Sequence, residues 1–170
     1  MEEFDWVLYM DSDVFVVRSL LPLVADVLAV SNSSASSKLW AVRDYPAFPD
    51  TFNMGMFAMR PSAHEFGDLM CKLHGPCRQI DFAEAWAEQG FINAVYVRNW
   101  TELPMTNSMN LHIWSVDREA WKANASHIQL IHFTMVKPWN WFCPWTEYAP
   151  MCYLFWNHDD MKFHQIGSQS

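Results

Sequence analysis

The chain has 170 residues, which suits one domain, and its 51% hydrophobic and 16% aromatic content supplies a core of ordinary size and excludes disorder as the main state. The formal charge of −8 argues against nucleic acid and anionic membranes as partners, because both are bound through clustered Lys and Arg. An acidic protein that binds an anionic ligand usually needs a cation between the two.

Apolar periodicity predicts that strands and helices alternate, which points to a layered α/β fold. Up to residue 60 the predicted elements are a strand over 6–10, a strand over 14–17, a helix over 20–30, a polar loop over 31–37, a strand over 39–43, an irregular stretch over 45–49 and a strand over 52–59. Beyond it they are a helix over 61–73, a turn over 74–78, a helix over 84–97, an aperiodic stretch over 99–114, a helix over 117–123 and a strand over 128–132. The tryptophan-rich remainder after Pro138 predicts loops.

The whole chain is predicted to be one domain over 1–170, with a core over about 4–140 and a tryptophan-rich C-terminal extension over 141–170. Because the first strand begins within the first few residues, we expect the chain to open inside a fold and to lack upstream sequence.

The cysteines leave two states open, because no C-x-x-C pair indicates a zinc site. Local disulfides, Cys71–Cys77 and Cys143–Cys152, are one state, and four buried free thiols are the other. Three Asn-x-Ser/Thr sequons favour the Golgi or secretory pathway, with the cytoplasm as the alternative. Their asparagines are Asn32, Asn99 and Asn124.

Two strand ends carry side chains suited to metal binding. Asp11 and Asp13 follow the first strand, and their oxygens are ligands that Mg²⁺ and Mn²⁺ prefer. His132 ends the strand over 128–132, so its ring can reach the same rim, and Lys137 lies five residues further as a point charge for phosphate. Taken singly, a solvated Asp-x-Asp turn and a core histidine are the simpler interpretations.

Neutral amides form a second group of candidates. Asn53 lies in Phe-Asn-Met-Gly, and Gln89 follows Glu88 on the helix over 84–97. Amides donate and accept, which suits sugar hydroxyls. The alternative is that Asn53 closes a turn and that Glu88 and Gln89 form a solvated helix face. Gly55, inside a predicted strand, indicates close approach of another chain segment or a ligand.

In chain order, these motifs resemble glycosyltransferase family 8. They are Asp-x-Asp, then Phe-Asn-x-Gly with Arg-Pro-Ser, then an acid-Gln-Gly helix, then His-x₄-Lys-Pro-Trp, and together they span about residues 5–140. The match is closest to the glycogenin-like branch, which includes plant relatives that add glucuronic acid to xylan. The resemblance implies a GT-A type nucleotide-diphospho-sugar transferase fold, here truncated at the N-terminus. It also implies retaining transfer of a hexose or uronic acid from a UDP-sugar to a glycan or protein acceptor.

The resemblance assigns roles to the matching residues. Mn²⁺, with Mg²⁺ as the alternative, would be bound by Asp11, Asp13 and His132, and Lys137 would contact the donor diphosphate. The resemblance further implies that Asn53 and Gln89 contact the donor. It also implies that Glu88 and Gln89 take part in catalysis near the reacting carbon. Three positions depart from the family pattern, namely Met54, Ala85 and Met135.

A competing interpretation is a truncated, non-catalytic relative that binds a glycan or a partner. Ala85, Met135 and the short N-terminus favour it, whereas the complete metal triad favours an enzyme. The resemblance also admits a homodimer and gives no reason to expect a nucleic acid partner.

Two further expectations concern aromatic residues. Self-priming members of the family glucosylate a tyrosine between the acid-Gln-Gly helix and the metal-binding histidine. Here the interval from Gly90 to His132 contains only Tyr96, directly after the motif, so we predict a separate acceptor. Four tryptophans near the C-terminus allow two interpretations. In the first they bury a loop against the core, and the first of them anchors the loop after Lys137. In the second they form a sugar-stacking platform. They are Trp139, Trp141, Trp145 and Trp156.

Overall fold

The computed structural model describes residues 3–33, 38–44, 50–77, 80–97 and 99–157. Its strands are β1 (Val7–Met10), β2 (Val14–Val16), β3 (Leu39–Arg43), β4 (Phe52–Met59), β5 (Thr101–Leu103), β6 (Met109–Asn110) and β7 (Leu130–His132). Its α-helices are α1 (Leu21–Ser33), α2 (Ala63–His74), α3 (Ala87–Val95), α4 (His112–Val116), α5 (Arg118–Asn124) and α6 (Ala149–Trp156). Short 3₁₀ helices cover Glu84–Trp86, Met105–Asn107 and Cys143–Trp145.

The strands form two sheets. The first has the order β1-β4-β3-β5, with β4 antiparallel to both neighbours and β5 parallel to β3. The second has the order β2-β7-β6, with β7 antiparallel to β2 and parallel to β6. The mixture of sheets and helices confirms the predicted α/β class.

Helices cover both faces of the first sheet, which explains why β3 is apolar along most of its length. Trp40 and Val42 face a core cluster that includes residues of α1. Leu39 and Ala41 face the opposite cluster, which includes residues of α2 and α3. Since successive side chains of a strand point to opposite faces, a strand buried on both sides has no polar alternation.

Helix α3 is attached to β4 by amide side chains that bond to the strand's backbone. The Asn93 Oδ1 atom accepts from Phe52 N at 2.9 Å, and Asn93 Nδ2 donates to Phe52 O at 2.9 Å. The Gln89 Oε1 atom accepts from Met54 N at 3.1 Å. These bonds satisfy backbone groups of β4 beyond the part that pairs with β1, so the solvated-face interpretation of this helix is wrong for Gln89.

The predicted helix over 84–97 is a 3₁₀ helix over Glu84–Trp86 followed by α3, which ends at Val95. The sequence-based boundaries are also wrong in three other places. Helix α1 continues to Ser33, into the predicted loop over 31–37. The last four residues of that predicted loop and the irregular stretch over 45–49 lie outside the described part of the chain. The aperiodic stretch over 99–114 contains β5 and β6, which are too short to show a period. The predicted C-terminal loops contain α6, whose residues are apolar on nearly all sides.

Both local disulfides are present, Cys71–Cys77 and Cys143–Cys152, and the described residues contain no free cysteine. The second joins the 3₁₀ helix Cys143–Trp145 to α6. Within the described ranges, no helix has the length and apolar character needed to cross a bilayer.

The predicted burial of the C-terminal tryptophans is wrong. The four side chains are 46–82% exposed, and the residue that packs into the interior after Lys137 is Pro138 rather than Trp139. The apolar core of this region is supplied instead by buried residues between them, namely Cys143, Tyr148, Met151 and Cys152.

Candidate active site

The ends of β1 and β7 bring two carboxylates and one imidazole together. Antiparallel pairing places Val14 opposite His132, and Phe133 N donates to Asp13 O at 3.0 Å. The His132 Nε2 atom lies 3.3 Å from Asp13 Oδ1 and 3.7 Å from Asp11 Oδ2. One potential ligand atom from each of the three residues lies within 4.8 Å of the other two. The strand-end positions thus bring the predicted trio together, and its donor set suits Mn²⁺ or Mg²⁺.

The hydrogen bonds around His132 determine which ring nitrogen faces the carboxylates. Asn53 Oδ1 accepts from Gly55 N at 2.9 Å, so this atom is an acceptor, and it lies 2.7 Å from His132 Nδ1. The Nδ1 atom therefore carries the proton and donates it. The neutral ring then presents the lone pair of Nε2 to Asp11 and Asp13, the arrangement that a metal-binding histidine needs.

Burial lowers the pKa of His132 below its usual value, while Asp13 and Asp11 act in the opposite direction with smaller effect. The ring is therefore neutral at pH 7, and a neutral imidazole is the form that binds metal.

Gly55 is the backbone position against which the His132 ring packs. A Cβ atom at this position would lie 2.1 Å from His132 Nδ1, well inside van der Waals contact. The close approach indicated by a glycine inside a strand is therefore made by the histidine ring.

Asp44 is a central site residue that the sequence analysis did not single out. Its Oδ1 accepts from the side-chain amides of Asn53 at 3.3 Å and Asn110 at 3.2 Å, and its Oδ2 accepts from Gln89 Nε2 at 2.9 Å. Asp44 follows β3 directly, and a carboxylate at a strand end is the signal that could have identified it. Asn110 ends β6 and accepts from Thr134 Oγ1 at 2.5 Å.

The side chain of Lys137 is directed into the same site. Its ammonium group forms an ion pair with the Asp13 carboxylate and donates to Phe133 O at 2.9 Å. Tyr9 supports the other aspartate, because its hydroxyl donates to Asp11 Oδ1 at 2.7 Å. That hydrogen bond is the largest cause of the raised pKa of Tyr9.

These groups line one cavity of about 440 Å³. All seven predicted site residues lie on its wall, namely Asp11, Asp13, Asn53, Glu88, Gln89, His132 and Lys137. Four carboxylates, including Asp44 and the exposed Glu88, face one ammonium group. An anionic ligand is disfavoured here unless a cation accompanies it.

Two of the departures from the family pattern, Met54 and Met135, also lie on the cavity wall. Among non-glycine residues in the described ranges, only Ala87 has a positive φ. The backbone at Met135 therefore adopts a conformation that does not require the glycine expected there.

Sequence comparison identifies the relatives of this chain. The pattern of Glycosyl transferase family 8 matches residues 1–143. Mouse glycogenin-1 is 31% identical over 128 residues, which cover 69% of this chain and 36% of glycogenin-1. Human glycogenin-2 is 30% identical over 131 residues, 70% of this chain and 24% of that protein. Glycosyltransferase GlyF of Streptococcus pneumoniae serotype 4 is 24% identical and matches 98% of this chain and 41% of its own length.

Structure comparison shows a GT-A fold. The apo form of glycosyltransferase GlyE from Streptococcus pneumoniae has a TM-score of 0.66 and 17% identity, covering 98% of this chain and 43% of GlyE. The galactosyltransferase LgtC, solved with donor and acceptor sugar analogs, has a TM-score of 0.55 and 16% identity, covering 89% of this chain and 62% of LgtC. The chain thus spans 24–41% of the length of its curated relatives.

Proposed function

Since the chain belongs to glycosyltransferase family 8, we propose that it transfers a hexose or uronic acid from a UDP-sugar to a separate glycan acceptor with retention of configuration. The observation that carries the proposal is the convergence of Asp11, Asp13 and His132 at one rim of an acidic cavity. Its residues suit a nucleotide-sugar diphosphate only when a divalent cation is bound with it.

In this proposal Asp11, Asp13 and the Nε2 atom of His132 hold Mn²⁺, with Mg²⁺ as the alternative. The bound cation would offset the diphosphate charge and stabilise the departing nucleotide diphosphate. Asn53 keeps the Nε2 lone pair available, because its Oδ1 holds the proton on Nδ1 at the other side of the ring.

Lys137 is proposed to exchange its partner when the donor binds. Without donor its ammonium group neutralises Asp13. A bound cation would take over that carboxylate, which releases the ammonium group to contact the diphosphate. Such a contact strengthens as charge develops on the leaving oxygen, and one well-placed donor of this kind contributes on the order of 3–4 kcal/mol.

The part of the cavity wall around Asp44 is proposed to hold the donor sugar. Gln89 and Asn53 are fixed by Asp44, which leaves this wall rigid and rich in carboxylate and amide oxygens. Donor contacts by Asn53 and Gln89, and a role for Glu88 and Gln89 near the reacting carbon, remain predictions. The exposed carboxylate of Glu88 faces the cavity, so a substrate can reach it.

One alternative is a glycan-binding module without turnover. It is favoured by Met135, which is 52% exposed at the cavity where the family has glycine.

The test is the release of UDP from a panel of UDP-sugars, with neutral oligosaccharides as acceptors, in the presence and absence of Mn²⁺. We expect release to require the cation and to fall at least about 100-fold in Asp13→Asn. The matched control is Asp68→Asn, at a half-exposed carboxylate on α2 that contacts only His64 among the described ion pairs. Absence of cation-dependent release, or equal rates in Asp13→Asn and wild type, would refute the enzyme and favour the module.

A further inference from the structure

The segment that follows the site exposes an unusual set of aromatic side chains. Trp141 and Trp145 are 80% and 82% exposed. Tryptophan has the largest apolar side chain and is normally well buried, so two such residues at the surface indicate a binding face. We call the exposed aromatic side chains of residues 138–157 the aromatic surface, which comprises Trp139, Trp141, Phe142, Trp145, Tyr153 and Trp156.

The base beneath the aromatic surface is fixed. Cys143 and Cys152 are fully buried and joined by a disulfide. Tyr148 and Met151 pack in the same core cluster, and Trp114 Nε1 donates to Glu147 O at 2.8 Å. The exposed rings therefore project from an anchored segment, and their exposure does not come from a frayed chain end.

Two consecutive turns join the segment that carries the aromatic surface to Lys137. Asn140 N donates to Lys137 O at 3.0 Å, and Cys143 N donates to Asn140 O at 2.9 Å. Each such turn brings its first and last Cα atoms within about 7 Å. The Cα atom of Cys143 therefore lies within about 14 Å of that of Lys137, a residue on the cavity wall.

The chemistry of the segment favours an uncharged ligand. Residues 138–157 contain one charged side chain, Glu147, whose carboxylate lies 3.8 Å from Arg118 Nη2. Nucleic acid and anionic membranes need cations that this segment lacks. Its aliphatic side chains face inward, since Met151 is fully buried and Leu154 packs on the core, and its exposed large apolar groups are all aromatic.

We propose that the aromatic surface is the acceptor subsite and binds a neutral glycan chain whose end enters the cavity. The C–H groups of a pyranose face carry partial positive charge and pack on the electron-rich face of an aromatic ring. Several rings along one segment suit a chain of sugar units rather than a monosaccharide. This inference rests on the proposed function, because it takes the cavity as the place of transfer.

The experiment titrates the protein with maltohexaose, cellohexaose and xylohexaose by calorimetry, without donor or metal. We expect binding of at least one hexasaccharide, about tenfold weaker in Trp141→Ala or Trp145→Ala and largely kept in Trp145→Phe. Phe66→Ala removes an aromatic side chain of similar exposure, 64%, on α2 and is the control that leaves binding unchanged. Far-ultraviolet circular dichroism and melting temperature of each variant exclude unfolding as the cause.

The failure of this inference is distinguishable from failure of the proposed function. Asp13→Asn should bind the same hexasaccharide as wild type. If wild type binds a hexasaccharide but transfers no sugar to it, the proposed enzyme is refuted and the proposed role of the aromatic surface stands. The aromatic surface is overturned if none of the three hexasaccharides binds or if the tryptophan variants bind as wild type. Tryptophan-dependent dimers in sedimentation velocity would instead assign the aromatic surface to self-association. Co-sedimentation with phosphatidylcholine vesicles would assign it to lipid binding.

Discussion

At the residue scale, the geometry of the candidate metal trio, Asp11, Asp13 and His132, depends on a hydrogen-bond acceptor from another residue, Asn53 Oδ1. Asn53 Oδ1 accepts one hydrogen bond from Gly55 N and another from His132 Nδ1, and Asn53 Nδ2 donates to Asp44. The amide is thereby fixed in one orientation, and it fixes the imidazole in turn. The pattern Phe-Asn-x-Gly therefore has a physical reason in this site: the asparagine orients the ring, and the glycine leaves space for it.

The substitution Gly55→Ala tests this packing. The added Cβ atom would occupy the position of the His132 ring, so we expect the ring to move and the Mn²⁺ affinity, measured by calorimetry, to fall about 10–100-fold. Gly67→Ala is the control, because its Cβ meets nothing within 4 Å inside α2. It should leave Mn²⁺ binding unchanged and stabilise the fold by up to about 1 kcal/mol. Unchanged Mn²⁺ affinity in Gly55→Ala would show that the ring is not a ligand.

The lowered pKa of His132 sets the pH dependence of metal binding. The ring remains neutral to a pH below the usual value of about 6.5, so Mn²⁺ affinity should be similar at pH 7.5 and 6.5 as far as this residue is concerned. Below its pKa, proton competition should weaken affinity by up to about tenfold per pH unit. Calorimetric titrations at pH 7.5, 6.5 and 5.5 test this, with the exposed His64→Gln as control. An equal pH dependence of Mn²⁺ affinity in wild type and His132→Gln would contradict a histidine ligand.

The same shift predicts how the metal-free protein responds to acid. Just below pH 6.5 the unfolded chain, in which this histidine is exposed, binds more protons than the folded chain. Stability from His132 is therefore present above about pH 6.5 and is lost as pH falls below it. The free energy of unfolding, measured with urea, should therefore differ less between pH 7.5 and pH 5.5 in His132→Gln than in wild type.

At the element scale, strands with clearly bounded apolar runs were predictable, whereas β5, β6 and α6 were not. The bounds of β3 and β4 agree with the prediction because their apolar runs begin and end sharply. Strand β5 has three residues and exists through its pairing with β3, a contact that local sequence does not encode. Helix α6 is apolar on nearly all sides, so its sequence lacks a helical period.

The candidate site was largely predictable for the same reason. Its metal trio occupies strand ends, and motif order placed those ends together. Asp44 has no accompanying motif, and its importance comes from three amides that belong to distant elements, so only the fold reveals it. The exposure of Trp141 and Trp145 was not predictable either, because tryptophan is equally compatible with a core.

The disulfide between the 3₁₀ helix Cys143–Trp145 and α6 gives a prediction at this scale. Closing a loop of this length removes about 2.5 kcal/mol of chain entropy from the unfolded state. The double variant Cys143→Ala with Cys152→Ala should lose at least about 2 kcal/mol in urea unfolding and keep its Mn²⁺ affinity, since the metal trio lies on other elements. Unchanged stability would show that the pairing is not formed in solution. The secretory compartment that such disulfides favour stays a prediction.

At the scale of the whole molecule, the position of Tyr96 bears on the choice of acceptor. Tyr96 is 2% exposed, and its hydroxyl lies 3.0 Å from Glu65 Oε1. Burial, followed by the effects of Glu65, raises the pKa of Tyr96. Because Tyr96 is buried and does not line the cavity, its hydroxyl cannot reach a sugar bound there, which strengthens the expectation of a separate acceptor.

We therefore predict no self-glycosylation at Tyr96 or between Val97 and Ile131. The protein is incubated with labelled UDP-glucose and Mn²⁺ and its peptides are mapped by mass spectrometry. Peptides covering this interval should be unmodified, while an added oligosaccharide acceptor carries the label. A hexose on any residue of the interval would refute the prediction.

The central claim is that Asp11, Asp13 and His132 hold one divalent cation for a UDP-sugar. The most direct measurement is a manganese anomalous-difference map from crystals grown with Mn²⁺ and UDP. We expect one peak at about 2.0–2.3 Å from a carboxylate oxygen of each aspartate and from His132 Nε2, with diphosphate density beside it. A peak elsewhere, or UDP bound in the cavity with no manganese at these three residues, would refute this metal site.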